Sequence, residues 1–599
     1  MLLLVSRPYH VTLCKEHQMA APSLKVDPIL MEIILNAFMT LCDESQAILV
    51  RSAYSTNIKE RKDCSAWLLD ENGQPFCGGR FSGGQYNNSG YGPVGAYILE
   101  HFSGTLAPGD VFIINDPYLG GPTHLPDMSF LKPVFHSDTL LGFICNQGHW
   151  ADVGGKAPAQ GVVGDATEIY QEGLRLPPVR LYQAGELNQD IYGILLANIR
   201  GPQERAADVR AHLAALAAGE HRIQELAHRY GPLALKRYMD ALIDYSETRL
   251  RQAIREAPEG TWSAVDYLDD DLGSENPIPV HVQVSIQHDP EPNIKLDFTG
   301  SGPPAKWGVN VAGHGTWQMA VGVFRNLLAD DSVPINSGFL KPFTVIMPDR
   351  SLINAKEPDG VGARTETTYL VRDAILAAVM KVFPSKSRGP WHGVHGVGFS
   401  NREGQPYFIH YQTVGGGGGA RTFKDGVDSI HEVLNLPIEP MEMQYPVRGI
   451  KLEYVQDSEG AGKYRGGVGV RQDWEVLEDV YLATHSNRHR IPAPGINGGG
   501  PGGTSKLLLN YETSHCIELP REVTNYPLKT GDVVTVFAGG GGGFGNPLER
   551  LPTAVLEDVR NEKVSLVRAE DTYGVVIDPE TLTLRHKQTE ALRQKRTSK

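Results

Sequence analysis

Three glycine runs mark the second half of the chain: GGGGGAR at 415–421, GGGPGG at 498–503 and GGGGGFG at 539–545. Glycine loses more backbone freedom on folding than any other residue, and it packs no side chain. A run of five is therefore a poor helix and a poor strand, and points to turns or to backbone approached closely by something else. The chain carries 66 glycines in 599 residues, about 11 % against a usual ~7 %. Much β-structure and many functional loops are expected. The runs could offer backbone N–H groups to an anion, or form tight hairpins or the backbone of substrate loops. Neither GGGGGAR nor GGGGGFG is followed by Lys-Ser/Thr, so neither is a P-loop.

At 599 residues the chain exceeds the roughly 100–200 of one domain. No low-complexity linker divides it, so the expected fold class is α+β: one large body of several subdomains, rich in β-sheet and glycine loops. The expected organisation is an extension over 1–23, disordered or upstream of a true start at Met19, then an α/β region over 24–260. A β-rich glycine-loop region follows over 261–550, and a C-terminal segment over 551–599 ends in the basic, solvated stretch RHKQTEALRQKRTSK. The net charge of −14 argues against a nucleic-acid or anionic-membrane partner. No run reaches the ~18–20 apolar residues of a membrane span. Six cysteines without a CxxC read as reduced thiols of a cytoplasmic protein.

The stretch VDPILMEIILNAFMTLC predicts a helix capped by Asp27, with Pro28 at its first position and Leu30, Ile33, Ile34, Ala37 and Leu41 on one face. A pair of antiparallel helices is expected over 200–255, broken at Gly231-Pro232, and a further helix near 364–383. AWLLD, DVFIIND, LLGFICN, IPVHVQVSIQ, IKLDFTG, FTVIMP, YFIHYQTV, YLATHS, KLLLN and DVVTVFAGG read as strands.

Among the turns lies NDPYLGGPTHLPD, residues 115–127, and twenty-five residues after His124 comes His149, in CNQGHWADVGG. Pro126 keeps THLPD out of a helix interior, so His124 and Asp127 are expected in a loop, and His149 just past a strand end. Two histidines and a carboxylate that leave open positions are how catalytic zinc, manganese and iron sites are often built. Loop residues bonding nearby backbone have the same spacing. In NIKERKDCSAWLLD (57–70), Asp63 could be a further ligand and a lysine or arginine could hold an anion; a solvated charge run reads the same way. DFTGSG at 297–302 only faintly resembles a phosphate turn of actin-like ATPases. No G-x-S-x-G elbow or dinucleotide fingerprint is present, and HEVLN lacks the second His of a zinc-protease helix.

NDPYLGGPTHLPDMSFLKPVF closely resembles the signature of the hydantoinase B/oxoprolinase family. Further matches follow in order: SxxIKERxDxS, GHWADVGG, EIYQEGLRLPPVRL, ANIRGPQERAADVRAHLAA, DFTGSG, GGGGGARTFKDG, DSEGAGKYRGGVGVRQ, PGINGGGPGG and GGGGGFGNPLER, covering about 24–580. The resemblance implies a β-type subunit of an ATP-dependent cyclic-amide hydrolase acting on hydantoins, oxoproline or lactams. It also implies a hetero-oligomer with a separate actin-like ATPase α-type subunit that phosphorylates the substrate oxygen. His124, Asp127 and His149 become ligands of a divalent transition metal (Zn, Mn or Fe), with Asp63 a neighbour or fourth ligand. Asp63 or Asp152 would orient water or move protons. Two departures stand out: Gly95 and Trp150 occupy positions where many relatives carry histidine. Two alternatives follow, a subunit of an acetone- or acetophenone-type carboxylase and a non-catalytic subunit whose metal site is lost.

Overall fold

The computed structural model describes residues 26–80, 88–158, 165–271, 276–330, 332–401, 407–431 and 434–597, so the expected extension over 1–23 lies outside the described residues. Thirteen α-helices and four sheets make up the described fold, the mixed α+β class expected. The first helix is Pro28–Ser52, and the Asp27 carboxylate accepts from the Ile29 amide at 2.9 Å. Its buried stripe runs through Ile34, Leu35, Phe38, Leu41, Cys42 and Leu49, while Ile33 is exposed. The apolar face is thus turned by about one position from the one predicted. By length and composition this helix would also suit a membrane span, which a search for an unbroken apolar run misses. Here the stripe is buried against protein, chiefly the helix Pro202–Tyr230. That long helix is separated from Pro232–Glu256 by Gly231 alone, as its GP signal predicted. Its main neighbour, however, is the first helix, and it touches its chain successor more sparsely.

The N-terminal half is organised by seven strands: β1 (Cys64–Asp70), β2 (Pro75–Gly78), β3 (Val111–Ile114), β4 (Asp127–His136), β5 (Thr139–His149), β6 (Val179–Gln183) and β7 (Glu186–Leu187). Their order in the sheet is β2-β1-β5-β4-β3-β6-β7, and each neighbouring pair is antiparallel. β1 shows why these strands read as unbroken apolar runs. Ala66 and Leu68 join the core under the helices, while Trp67 and Leu69 join a second core with Val94 and Ile98 of the helix Gly92–His101. Successive side chains point to opposite faces, and both faces are covered.

A second sheet, β11-β10-β9-β8, comprises β8 (Gly260–Leu268), β9 (Ile278–Gln287), β10 (Asn293–Asp297) and β11 (Phe343–Ile346). It shares a core with the helices Gly313–Leu328 and Thr365–Val379, the latter inside the predicted 364–383 stretch. Nine further strands follow: β12 (Val394–Ser400), β13 (Ile409–Gly415), β14 (Val447–Tyr454), β15 (Val470–Val476), β16 (Val480–His485), β17 (Lys506–Leu509), β18 (Ile517–Glu518), β19 (Val523–Leu528) and β20 (Val533–Phe537). They form two sheets, β13-β12-β16-β19 and β14-β15-β20-β17-β18.

The runs at 415–419 and 539–543 are not hairpins or loop tips, whereas the run at 498–503 opens in a turn with positive φ at Asn497 and Gly498, closed by Gly499 N donating to Ile496 O at 3.0 Å. Gly417, Gly467, Gly541 and Gly460 are buried, and their extended segments lie side by side. The Gly417 amide donates to Gly539 O at 2.9 Å, Gly467 to Gly418 O at 2.8 Å, Gly541 to Gly467 O at 3.0 Å and Gly460 to Gly541 O at 2.9 Å. None of these four glycines has a positive φ, so their conformation is open to any residue. What requires glycine is proximity: a Cβ on Gly466 would lie 1.9 Å from Gly541 O, and one on Gly469 would lie 1.8 Å from Ala538 O. Backbone packs directly on backbone where another protein would interleave side chains.

The C-terminal segment is likewise built in. The basic stretch expected to be a solvated tail forms the helix His586–Thr597, and Arg593 donates to Tyr573 O at 2.9 Å and Arg550 O at 2.7 Å. Arg465 in turn ties the glycine region to Asp558 at 2.8 Å.

Candidate metal centre

The β4–β5 hairpin sets the geometry of the site. Asp127 is the first residue of β4 and His149 the last of β5, and the two face each other in register. Asp127 therefore stands on a strand end and not in the loop expected, while His149 is the last strand residue where the position just past the end was expected. Pro126, which cannot extend the strand pairing, places its carbonyl to accept from Met128 N at 2.9 Å and Trp150 N at 2.8 Å. The preceding turn folds back so that His124 joins them. His124, Asp127 and His149 are all buried and offer one ligand atom each within 4.8 Å of one another. The two imidazole centroids lie 5.0 Å apart.

Hydrogen bonds from distant parts of the chain surround the cluster. His124 Nδ1 lies 3.0 Å from Gly362 O. A carbonyl only accepts, so Nδ1 carries the proton and Nε2 presents a lone pair. That Nε2 is buried, makes no hydrogen bond, and lies 3.4 Å from Asp127 Oδ1. A ring nitrogen and a carboxylate oxygen facing each other inside a protein need positive charge between them, a proton or a metal ion. Burial lowers the His124 pKa, and the Arg364 charge lowers it further against the pull of Asp127. A proton on Nε2 is thus disfavoured. Burial by itself would raise the Asp127 carboxyl, but His124 and Arg364 outweigh it and hold the group well below the usual range. Asp127 Oδ2 accepts from Thr123 Oγ1 and Arg364 Nη2, each at 3.1 Å, and leaves Oδ1 toward His124. Burial, and then the neighbouring His124, hold His149 well below its ordinary value. The His149 ring is oriented by Asn57, 3.1 Å from its Nδ1, and lies parallel to Tyr411 at a centroid distance of 6.4 Å. A neutral two-histidine, one-carboxylate set with an orphaned nitrogen fits a divalent transition metal.

Residues 27–547 match the family model described as Hydantoinase B/oxoprolinase. The chain belongs to the hydantoinase B/oxoprolinase family. Among its relatives, the caprolactamase subunit beta of Pseudomonas jessenii is 29 % identical over 92 % of this chain and 97 % of that one. The crystal structure of ATP-dependent caprolactamase from the same organism superposes with a TM-score of 0.86 and 28 % identity, covering 95 % of this chain and all of its counterpart. The nucleotide-free structure of acetone carboxylase gives a TM-score of 0.87 at 17 % identity, over 96 % of this chain and 83 % of the other. At that identity the likeness speaks for the fold alone.

The two departures from the hydantoinase B/oxoprolinase pattern now have structural reasons. Gly95 lies in the helix Gly92–His101, and a Cβ there would sit 2.3 Å from Gly73 O in the β1–β2 turn. This residue is small because backbone crosses it. Trp150 follows His149 and points the other way: its Nε1 donates to His212 Nε2 at 3.3 Å, inside the core under the long helix. Neither position takes a member from the His124, Asp127 and His149 set.

Asp63 and Asp152 part company. Asp63 precedes β1, its backbone carbonyl accepts from His149 N at 3.0 Å, and its carboxylate is half-buried beside the cluster but outside the 4.8 Å set. Burial pushes its pKa up to about 6, eased by Arg61 and reinforced by Asp127. Asp152 is buried with both oxygens engaged. Oδ1 accepts from Gly154 N at 2.9 Å and Arg200 N at 2.7 Å, and Oδ2 from Arg200 Nη1 at 3.0 Å. It pins the chain leaving β5 to the turn before the long helix.

Sequence reasoning missed Asn57, Thr123, Glu172, Gly362, Arg364 and Tyr411. Asn57 sits inside a quoted motif, but Gly362 and Arg364 are more than two hundred residues from the groups they hold, and no local pattern marks them. Glu172 grips the Gly362 segment: its Oε1 accepts from Val361 N at 2.7 Å and Gly362 N at 2.8 Å, while Oε2 is buried without a partner. Burial raises its pKa from 4.5 to about 8. The folded state thus keeps a proton between those values that the unfolded state releases, and stability falls as pH rises across that window. Glu172→Gln is expected to remove the slope. Melts of variant and native protein should agree below about pH 5 and diverge by about 2–4 kcal/mol in favour of the variant above about pH 8. Parallel curves would exclude the buried proton.

Proposed function

We propose that this chain is the β-type subunit of an ATP-dependent cyclic-amide hydrolase. It holds a divalent transition metal (Zn, Mn or Fe) at His124, Asp127 and His149, and it hydrolyses a substrate whose amide carbonyl oxygen a separate actin-like ATPase subunit has phosphorylated. The observation that carries this reading is the buried, unpartnered His124 Nε2 facing Asp127 Oδ1. The hydantoinase and caprolactamase relatives give the reaction class.

An unstrained amide is a poor electrophile with a poor leaving group, and phosphorylating its oxygen activates the carbon: water adds there, the ring C–N bond breaks with the nitrogen leaving protonated, and the acyl phosphate that remains is hydrolysed by a second water to carboxylate and phosphate. A bound divalent metal supplies Lewis acidity, which lowers the pKa of water and steadies negative charge on oxygen. The chain's residues do the rest. Gly362 O keeps the His124 lone pair on Nε2, Arg364 and Thr123 hold Asp127, and Asn57 fixes the His149 ring. Asp63 is the candidate proton acceptor, because its half-buried carboxylate titrates near neutrality beside the cluster. Arg61 is the candidate anion arm. Its guanidinium stacks 4.7 Å from the Tyr411 ring centre and keeps a buried Nη2 without a partner, a donor suited to a phosphate oxygen. Asp152, fully engaged by Arg200, is a positioning residue in this reading.

A ketone-carboxylase subunit is the second reading, favoured only by the shared fold. The intact ligand set speaks against a degraded site. The test is to copurify the chain with its ATPase partner, measure metal, and screen ATP-dependent turnover of lactams, hydantoins, oxoproline and ketones with labelled bicarbonate. About one transition-metal ion per chain is expected, lost in His124→Ala, together with ring opening that retains no label. Label fixed into product would move the assignment to carboxylation, and native protein without metal would end the proposal.

A further inference from the structure

Beside the cluster runs a hydrogen-bonded chain that the roles assigned so far do not use. Glu366, in the first turn of the helix Thr365–Val379, lies 2.7 Å from His485 Nδ1, and His485 Nε2 lies 3.4 Å from the Tyr411 hydroxyl. Glu366 and His485 are buried, and Tyr411 is half-buried. The fold makes room for this arrangement. His485 ends β16 and pairs with Gly396 of β12, and a Cβ on Gly396 would lie 2.2 Å from His485 Nε2, so the ring lies over the glycine. Tyr411, on the neighbouring β13, stands with its ring parallel to that of His149 and under the Arg61 guanidinium.

The direction of the bonds follows from the groups. A carboxylate only accepts, so His485 Nδ1–H donates to Glu366, and in the neutral imidazole Nε2 accepts. The Tyr411 hydroxyl then donates to His485 Nε2 at 3.4 Å, which leaves its oxygen free to accept a second hydrogen bond. We propose that Tyr411 is a substrate-contacting residue that accepts a hydrogen bond from the ring N–H of a cyclic amide, an N–H that the O-phosphorylated ring keeps in its protonated, iminium form, with His485 and Glu366 positioning it. This deepens the cyclic-amide reading and rests on it. A site arranged to accept from N–H leaves its acceptor unpaired when the N–H is missing, which penalises lactones and ketones of the same size.

The test needs no turnover. Binding of five- and seven-membered lactams, and of lactones with the same rings, is measured by calorimetry on chelator-treated protein in complex with its ATPase partner. Native protein is expected to prefer lactam by about tenfold. Tyr411→Phe should bring that ratio close to one, leave the lactone affinity unchanged, and retain the metal content of native protein when reloaded. Glu366→Gln should shrink the preference in the same direction, and decides alone if Tyr411→Phe does not fold. An equal lactam preference in native protein and the folded variants, or no preference in native protein for either ring, would overturn the role of Tyr411. Failure of the cyclic-amide reading is distinguishable, because it would show as absent metal or absent ATP-dependent ring opening in native protein.

Discussion

Gly417→Ala is expected to abolish the folded state or lower its melting temperature drastically. The added Cβ would lie 1.9 Å from Gly467 O, 2.4 Å from Gly467 C and 2.7 Å from Gly541 N. All three are backbone atoms, so no side chain can swing aside. Overpacking a core whose side chains can yield costs about 1–3 kcal/mol. Here the yielding element would be a segment held by the bonds from Gly417 to Gly539 and from Gly467 to Gly418, so a cost above about 3 kcal/mol is expected. Gly193→Ala is the control. Gly193 lies within the helix Gln189–Ala197, and nothing comes within 4 Å of its would-be Cβ, so alanine should stabilise by about 0.5–1 kcal/mol. Circular dichroism melts of both variants decide the matter. A Gly417→Ala protein that melts with native protein would show that these segments are looser than their packing implies.

That contrast also marks where the sequence stops being legible. A glycine run has two meanings, freedom of φ and absence of a side chain, and the string of letters is the same for both. The hairpin and loop reading follows the first; the structure uses the first at Gly498 and the second at 415–419 and 539–543. The strands that were read were legible because each is a local run or alternation of apolar residues, whereas β8 and β14, largely exposed, were not; the cap at Asp27 was legible because capping is decided within one turn. The face of the first helix was misplaced by one residue, since Ile33 and Phe38 are both apolar and only the position of Pro202–Tyr230 selects between them.

The candidate site divides in the same way. His124, Asp127 and His149 lie within one hairpin and its approach, so a motif could mark them together. The groups that decide what they bind, Gly362 O and the Arg364 guanidinium, arrive from the far side of the chain. Gly95 and Trp150 show the converse: letters that look like lost ligands prove to answer to Gly73 and His212, neighbours that only the fold supplies.

Arg364→Met is expected to destabilise the metal-free protein by about 3–5 kcal/mol, the range for breaking a buried ion pair from one side. Arg364 Nη2 lies 3.1 Å from Asp127 Oδ2, with 14 % and 7 % of the two side chains exposed. Methionine keeps much of the bulk but leaves the Asp127 carboxylate without its balancing charge. A cation between His124 and Asp127 would restore much of that balance, so the metal-loaded variant should lose far less. Linkage then fixes the sign of a second effect. If the metal-free form is destabilised more than the loaded form, the variant binds metal more tightly than native protein. Loss of a neighbour to a metal ligand usually weakens binding by about 10–100-fold. The opposite sign is expected here because the neighbour removed is itself a cation. Calorimetric melts of variant and native protein, with chelator and with metal, read both effects. Equal destabilisation in the two forms would mean that Asp127 does not share its charge with the metal, and the ligand set would have to be redrawn without it.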